Sequence, residues 1–266
     1  MKKAWMTLFI AALLLLPITA SAQQFEPSVG QEGKDVIWVP TPEELVNAML
    51  DIAKVTPGDF VMDLGSGDGR VVIAAARRGT RAVGIEYNPN MVELSKRSAE
   101  KAGVSDKATF LNADLFTADL GKATVLTMYL LPSLNLKLRP AILDLKPGTR
   151  IVSHAFNMGD WECDQSVEKE GRTAYLWIVP AKVEGTWTWP SNPGTAELSL
   201  TQTYQKIAGT LKTGGKDLPI EQGKLDGSHI SFVSGGRHYS GLVNGKAIRG
   251  TVKAGGKEEP WSAALP

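Results

Sequence analysis

The sequence predicts an α/β fold in which a doubly wound parallel sheet is followed by a small antiparallel β domain. Three observations lead to this prediction. Short apolar runs alternate with helical segments between residues 59 and 183, which is typical of a parallel sheet with helices on both faces. Helical periodicity then fades near Val183, where Gly, Thr and Ser become frequent. In that second region Asn244-Gly245 lies between two strand-like runs, a strong hairpin signal.

Length and charge limit the functions to consider. The chain has 266 residues, 43% of them apolar, and a formal net charge of +1. This length allows one large domain or one and a half, and the small charge predicts no nucleic-acid partner. Cys163 is the only cysteine, so no intrachain disulfide can form. No spacing of histidine, cysteine or carboxylate residues predicts a metal site.

The N-terminus has the features of a signal peptide over residues 1–22. Lys2 and Lys3 give it a positive start, and Leu8 to Leu16 form an apolar run too short to span a bilayer. Ala20-Ser21-Ala22 has the small side chains of a cleavage site. We therefore expect cleavage after Ala22 and an exported protein, periplasmic or secreted, with no stable membrane insertion afterwards. The alternative is an uncleaved N-terminal anchor. Residues 23–36 are expected to form a polar lead segment.

The first predicted helix begins near Thr41. Thr41 as N-cap, Pro42 at the first helical position and Glu44 at the third form a capping box. Pro57-Gly58 ends the helix. Together with the sheet that follows, this helix belongs to a first domain expected over residues 37–182.

The remaining elements of this domain alternate in order. The predicted strands cover residues 59–64, 81–86, 108–114, 123–130 and 148–156. Helices are predicted over residues 70–79 and 88–103, and a broken helical segment over residues 132–145. The run from residue 172 to 183 is expected to close the sheet at an edge.

Residues 183–266 are predicted to form an all-β barrel or sandwich of about six strands. Asn244-Gly245 and Asp226-Gly227 mark turns between strands. The pattern I-x-G-T occurs at Ile207 and again at Ile248, which indicates repeated strand units. Trp187 and Trp189 are expected to fill the interior of this domain or its interface with the first.

A glycine-rich loop, Gly65-Ser66-Gly67-Asp68-Gly69, joins the first strand to the next helix. Such a strand–turn–helix unit points backbone amides at a ligand. The dinucleotide fingerprint GxGxxG needs a glycine where Arg70 stands, and Asp68 would repel a pyrophosphate. A positively charged ligand without phosphate fits better, which disfavours an oxidoreductase that uses a nicotinamide cofactor.

The order D-x-G-x-G-x-G, from Asp63 to Gly69, resembles motif I of the S-adenosylmethionine-dependent methyltransferases, which have a Rossmann-like seven-stranded sheet. The resemblance implies S-adenosylmethionine as cofactor. Asp63 would face its amino-acid end, Glu86 would pair with both ribose hydroxyls, and Asp114 would accept from the adenine amino group. The cofactor-binding residues implied are Thr41, Asp63, Gly65, Ser66, Gly67, Gly69, Glu86, Asn88 and Asp114.

Four segments narrow the resemblance. They are similar to the methyltransferase group that includes the lysine methyltransferase of the mitochondrial ATP synthase c subunit and its bacterial relatives, and the similarity covers roughly Ile37 to Pro180. It implies that Pro40-Thr41-Pro42 caps the cofactor pocket and that the residues from Tyr129 to Pro132 line the acceptor side. The segments are WVPTPEELVNAML, DLGSGDGRVVIAAA, TMYLLPSLNLKLRP and PGTRIVSHAF. Those lysine methyltransferases are not periplasmic and lack the β domain.

Methyl transfer from a sulfonium needs positioning more than acid–base chemistry, because the leaving group is neutral. Tyr129, at the carboxyl end of the fourth strand, is the predicted acceptor-positioning residue, and the alternative for it is a core aromatic. His154 is interpreted as structural. The predicted function is methyl transfer to a nitrogen, a protein lysine by analogy, with a protein substrate recruited by the β domain. The alternative is an exported, non-catalytic binding protein that retains the nucleoside pocket.

Overall fold

The computed structural model describes residues 25–266, so the predicted signal peptide and its cleavage site lie outside the described residues. The first domain contains α1 (Glu43–Ile52), β1 (Phe60–Leu64), α2 (Arg70–Arg77), β2 (Arg81–Glu86), α3 (Pro89–Lys101), β3 (Ala108–Asn112), β4 (Val125–Met128), α4 (Pro132–Leu143), β5 (Arg150–His154), β6 (Gln165–Lys169) and β7 (Arg172–Ile178). The second contains β8 (Gly185–Pro190), β9 (Thr195–Thr203), β10 (Lys206–Thr213), β11 (Lys216–Asp226), β12 (His229–Ser234), β13 (Arg237–Asn244), β14 (Ala247–Ala254) and β15 (Lys257–Ala264). Within residues 25–266, no helix has both the length and the hydrophobicity to cross a membrane.

The first domain is built on a seven-stranded sheet with the order β3-β2-β1-β4-β5-β7-β6. The first five strands in this order are parallel, and β7 pairs antiparallel with both β5 and β6. The strand order reverses at β1, which lies between β2 and β4. Ligands of open α/β sheets bind beyond the carboxyl ends of the strands at such a reversal. The predicted α/β class is confirmed.

Hydrophobic clusters on the two faces of the sheet explain why these elements form. The cluster on one face joins α1, α2 and α3 to the sheet through residues such as Leu50, Val72 and Val92. The other face packs against α4 through Leu138 and Ile142. Every residue of β4 is buried, as expected for a strand in the middle of a two-sided sheet.

Two predictions about the helices are wrong. α1 begins at Glu43 with Pro42 as N-cap and no side-chain cap, so the predicted capping box is absent. The Thr41 hydroxyl instead lies 3.0 Å from Nδ1 of His154. The segment predicted as broken is one helix, α4, which continues through Pro140 because its buried residues Leu138 and Ile142 anchor it on the sheet.

The edge of the sheet also differs from the prediction. β7, expected at the edge, is covered by β6 on its outer side. The sequence of β6, QSVEK, is almost entirely exposed and lacks the apolar alternation that predicts a strand. It pairs because a short connection folds it back against the buried strand β7.

The second domain is a closed antiparallel barrel of eight strands, not about six. The predicted hairpin at Asn244-Gly245 is present, although Gly245 and Lys246 are its connecting residues. The repeated I-x-G-T pattern has a steric origin. A Cβ at Gly209 would lie 1.9 Å from the carbonyl oxygen of Ser199, and one at Gly250 would lie 1.9 Å from that of Ser240.

Trp187 is fully buried in the barrel core, where its indole Nε1 donates to the carbonyl of Val183 at 2.8 Å. Trp189 is only partly buried and meets Trp261 edge to face, with ring centroids 5.6 Å apart. The expected filling of the barrel by these two tryptophans therefore applies fully to Trp187.

The barrel packs against the loop that follows β5. Trp161 from this loop is fully buried and donates from Nε1 to Oε1 of Gln205 at 3.0 Å. Gln205 donates in turn to the carbonyl of Glu162 at 2.8 Å. The Tyr204 ring stacks on Trp161 at 5.7 Å, and its hydroxyl donates to Asp160. These contacts fix the barrel beside the carboxyl end of β5.

Candidate functional site

The glycine loop needs residues without side chains, as its sequence predicted, because neighbouring side chains pack closely against its backbone. Gly67 and Gly69 have φ angles of +54° and +80°. A Cβ at Gly67 would lie 2.7 Å from the indole nitrogen of Trp38, and one at Gly69 would lie 2.6 Å from the Phe110 ring. Gly67 therefore leaves room for the indole above the loop, whereas Gly69 lets α2 and the loop pack against β3.

Three carboxylates lie at the ends of three neighbouring strands. Asp63 is in β1, Glu86 ends β2 and Asp114 follows β3. Because these strands are parallel and adjacent in the order β3-β2-β1, their carboxyl ends meet at one edge of the sheet. The row of acids that the sequence predicted is thus present along that edge.

Asp63 is the most deeply buried of the three, with 5% of its surface exposed. Burial raises the pKa of this carboxyl to about 7, opposed by the hydrogen bond from Thr127 and reinforced by the negative charges of Asp68 and Glu86. The Thr127 hydroxyl donates to Oδ1 at 2.6 Å. Among the described residues no cationic side chain forms an ion pair with Asp63. Such a carboxyl is suited to a ligand that brings its own positive charge.

Glu86 and Asp114 are held by the backbone around them. Glu86 accepts from the amide of Gly67 at 2.9 Å and, through its other oxygen, from the amide of Asn88 at 2.8 Å. These bonds aim its carboxylate across the glycine loop. Asp114 accepts from the Phe116 amide at 2.9 Å and from Nζ of Lys34 at 2.6 Å. The hydrogen bond from Lys34 lowers the pKa of Asp114.

A cavity of about 610 Å³ lies above this edge of the sheet. The predicted residues that line it are Thr41, Asp63, Gly65, Ser66, Gly67, Glu86, Asn88, Asp114 and Tyr129. Gly69 was predicted with them but does not line the cavity, because it faces Phe110 and Ser95. Its contribution is to the packing beneath the loop.

The end of the predicted lead segment, residues 23–36, and the first residues of the predicted first domain cover the cavity. Every residue from Gln31 to Thr41 lines it. Backbone hydrogen bonds hold the segment in a narrow loop, in which the amide of Trp38 donates to the carbonyl of Gln31 at 2.9 Å. At its tip the ammonium of Lys34 pairs with Asp114 and lies 5.0 Å from the centroid of the Tyr87 ring. The apolar run from Val36 to Pro40, which contains Trp38 and directly follows a polar stretch, was the sequence signal for this role.

The negative charge of Asp68, which was predicted to repel a pyrophosphate, is paired with Arg70 in the structure. The Arg70 guanidinium donates to both of its oxygens and also to the carbonyl of Thr41 at 2.8 Å. The charge of Asp68 is therefore compensated within the loop, and its repulsion of a pyrophosphate is weaker than predicted. Asp63 and Glu86 remain as carboxylates without a salt bridge among the described residues, and they disfavour a phosphate ligand for the same reason.

The side of the cavity away from the three carboxylates is lined by aromatic and aliphatic side chains. It is formed after β4 and β5, by the aromatic rings of Tyr129 and Phe156 and by Leu131 and Leu134. His154 lies behind this wall, 2% exposed, with its ring centroid 3.8 Å from that of Tyr129. Burial, with a smaller effect of the Arg172 charge, lowers the pKa of His154 to about 4. A neutral, buried imidazole bonded to Thr41 is a structural support, not a base. Phe156 was not predicted as a site residue because it is the last residue of the predicted strand 148–156, where an aromatic side chain is typical of strand packing, whereas β5 ends at His154.

The residues present fit S-adenosylmethionine. A buried acid without a cationic partner matches its ammonium, a carboxylate aimed by two amides matches a ribose diol, and the apolar wall leaves room for an acceptor. The described residues offer no group of three or more histidine, cysteine and acidic side chains arranged to hold a metal.

Comparisons with known proteins likewise indicate a methyltransferase. The chain matches the family described as the ANTKMT methyltransferase domain over residues 63–165. It is 41% identical over 151 residues to a protein-lysine N-methyltransferase of Saccharolobus islandicus (strain REY15A), covering 54% of this chain and 94% of the relative. It is 29% identical over 185 residues to the ATP synthase c-subunit lysine N-methyltransferase of Mus musculus, covering 69% of this chain and 74% of the relative.

Among solved structures, it is similar to an RNA methyltransferase of Salinibacter ruber in complex with S-adenosyl-L-homocysteine. The sequence identity is 51% and the TM-score 0.54, and the match covers 55% of this chain and 96% of that chain. These matches leave a large part of the chain uncovered.

Proposed function

The chain belongs to the family of the ANTKMT methyltransferase domain and is an S-adenosylmethionine-dependent methyltransferase, and from that premise we propose that its acceptor is the side-chain nitrogen of a protein lysine. The observation that carries this proposal is the division of one cavity into two halves. One half presents the carboxylates of Asp63, Glu86 and Asp114, and the other presents aromatic and aliphatic side chains.

The apolar half suits an amine that must lose its proton before it reacts. S-adenosylmethionine, when bound, supplies a methyl group on a positively charged sulfur. An ammonium entering between Tyr129, Phe156 and Leu131 would be desolvated, and desolvation lowers the pKa of an amine. Once its proton had passed to solvent, the neutral amine would be the nucleophile for the methyl group that S-adenosylmethionine supplies, with the C–N bond formed as the C–S bond breaks and the sulfur left as a neutral thioether.

This chain's residues contribute orientation instead of proton transfer. Tyr129 is held by the rings of His154 and Phe156, with centroid distances of 3.8 and 6.1 Å. The lowered pKa of His154 keeps that imidazole neutral, so its ring supports Tyr129 without adding a charge that would repel an amine. Positioning of this kind is sufficient for a displacement with a good leaving group.

An RNA acceptor is the second candidate, because the Salinibacter ruber neighbour is named an RNA methyltransferase. RNA binding requires cationic side chains that are free to pair with phosphates. Lys34 and Arg70 are the lysine and arginine residues among those that line the described cavity, and each is paired with an aspartate. The charge pattern therefore favours the lysine. The names of the relatives likewise favour an enzyme over a non-catalytic binding protein.

The barrel is proposed to recruit the protein substrate. α4 begins directly after Leu131, and its Arg139 donates to the carbonyl of Met158 at 2.7 Å and to Asp160. Asp160 also accepts from Tyr204 of the barrel. The barrel thus packs against the same elements that build the apolar half of the cavity, which supports a role for its surface in presenting a lysine of a bound protein.

Export is proposed from the N-terminal sequence. Its positive start, apolar run and small-residue site predict that the mature protein begins at Gln23 and lies in the periplasm or outside the cell. N-terminal sequencing of the protein from fractionated cells tests this. A protein that still begins at Met1 in the cytoplasmic fraction would refute it.

The acceptor is tested with methyl-labelled S-adenosylmethionine and the purified chain, offered poly-L-lysine and total RNA in separate reactions. Label recovered as methyllysine after acid hydrolysis, and lost in Glu86→Ala, is the expected result. Label in RNA and none in lysine would overturn the proposal and favour the second candidate.

A further inference from the structure

The topology of the sheet separates the contacts of the cavity into two groups. Asp63, Glu86 and Asp114 lie at the ends of β1, β2 and β3, whereas Tyr129 and Phe156 follow β4 and β5 on the other side of β1. Phe156 therefore lies on the side away from the carboxylates, although it lines the same cavity.

The backbone around Phe156 is held in an unusual conformation. Ala155 has a φ of +64°, a left-handed conformation that is unfavourable for any residue with a Cβ. The amide of Ala155 donates to the carbonyl of Thr173 at 2.8 Å, and that of Phe156 donates to the carbonyl of His154 at 2.8 Å. The chain thus leaves β5 through a tight reversal directly before the ring.

A fully buried side chain of α4 secures this reversal from the other direction. Asn135 is 0% exposed, and its Nδ2 lies 3.3 Å from the carbonyl of Phe156 and 3.2 Å from that of Asn157. α4 is the helix that starts after the residues from Tyr129 to Leu131, so one helix links the two chain segments that form the apolar half. Strained backbone kept in place by buried polar contacts is typical of functional sites.

We propose that Phe156 is a specificity-determining residue that contacts the acceptor, forming with Tyr129 an aromatic wall that receives the methylene chain and amino group of a lysine. This inference rests on the proposed function. The two rings are 6.1 Å apart at 27° to each other, and together they present apolar faces without a charge. An aromatic face attracts an ammonium and its methyl substituents, and the apolar edges accept methylene groups.

The test uses n-butylamine as a probe of the lysine side chain. Saturation-transfer NMR on the whole chain, with S-adenosylhomocysteine bound, reports whether the butyl protons contact the protein. The variants are Phe156→Ala, Phe156→Leu, which keeps an apolar side chain without a ring, and Leu242→Ala as a control on the barrel surface, where that side chain is 60% exposed. S-adenosylhomocysteine affinity, measured by calorimetry on each variant, shows that the fold and the cofactor half are intact.

We expect the butylamine signal to fall at least about fivefold in Phe156→Ala and less in Phe156→Leu, with S-adenosylhomocysteine affinity within about twofold of the parent, since a cation–π contact is lost. An unchanged signal in Phe156→Ala, no signal in the parent, or a tenfold loss of S-adenosylhomocysteine affinity would overturn the assignment. If Phe156→Ala does not fold, Phe156→Leu decides alone. Methylation of poly-L-lysine by the parent is measured in parallel. If the parent does not methylate poly-L-lysine but the butylamine signals change as expected, the lysine acceptor is refuted and the contact of Phe156 with an amine is retained.

Discussion

Asp63 is the acid of this site whose charge is most sensitive to pH in the physiological range, and replacing it by asparagine isolates that charge. Its side chain is nearly inaccessible, and it accepts a 2.6 Å hydrogen bond from Thr127 that the amide oxygen of an asparagine can also accept. Asp63→Asn therefore keeps the size and that hydrogen bond of the side chain while fixing it in a neutral form.

The size of the expected change in ligand affinity follows from the pKa of Asp63, which burial raises from 3.8 to about 7. A ligand ammonium binds the ionised form, so well below pH 7 the affinity should fall about tenfold for each pH unit. Half of the carboxyl is ionised at pH 7 and about 3% at pH 5.5, so the parent should lose about 15-fold in affinity for S-adenosylhomocysteine between them, equivalent to about 1.6 kcal/mol. Asp63→Asn should bind weakly throughout and show no such slope.

The same shift affects stability in the opposite direction. Because the pKa is higher in the folded protein, the folded state binds more protons than the unfolded state between pH 3.8 and about 7. The free energy of unfolding of the ligand-free protein should therefore fall as the pH rises through this window, by up to about 4 kcal/mol from this group. The contribution is fully present below pH 3.8 and is lost above about pH 7.

The assay is calorimetric titration with S-adenosylhomocysteine from about pH 5.5 to about 7.5, in buffers of different ionisation enthalpy so that released protons are counted. The control is Asp119→Asn, which removes an exposed carboxyl from a loop outside the cavity. A parent affinity that is constant over this range, or an Asp63→Asn variant that follows the slope of the parent, would show that Asp63 does not pair with the ligand ammonium.

Three further predictions concern single residues. Glu86→Ala should weaken S-adenosylmethionine binding by about 1.5–3 kcal/mol, because it removes a charge-assisted pair of contacts, and unchanged calorimetric affinity would show that the ribose is not bound there. Gly69→Ala should lower the free energy of unfolding in urea by about 2–4 kcal/mol, since its φ is +80° and its Cβ would strike Phe110. Gly103→Ala, with a φ of +69° but no atom near its Cβ, should cost only about 1 kcal/mol, and equal losses would contradict the steric explanation. Gln205→Ala should destabilise the protein by about 2 kcal/mol, because it leaves Nε1 of the buried Trp161 without its acceptor, and a thermal unfolding curve identical to that of the parent would be inconsistent with this.

Local patterns in the sequence were sufficient to predict the α/β domain and the row of acids, and the cofactor was implied by the resemblance of the glycine loop to motif I of the methyltransferases. Each strand that carries an acid is a short apolar run, and in a parallel sheet the end of such a run leads to the ligand-binding edge. The number of residues between the glycine loop and Glu86 therefore predicted that Glu86 lies beside the loop at this edge of the sheet. The barrel was predicted as a β domain for a similar reason, since turn residues recur at short intervals from Val183 onward.

Contacts between distant segments depended on the tertiary structure alone. Residues 31–38 cover the cavity through Trp38 and Lys34, whose partners Gly67 and Asp114 are far along the chain. β6 pairs although its own sequence is polar, because β7 offers it a free edge. The position of Phe156 depends on a left-handed Ala155 and on Asn135 from another element. Short-range patterns predict burial and turns, because these depend on neighbouring residues, whereas the partners of a side chain are fixed only when the whole core has packed.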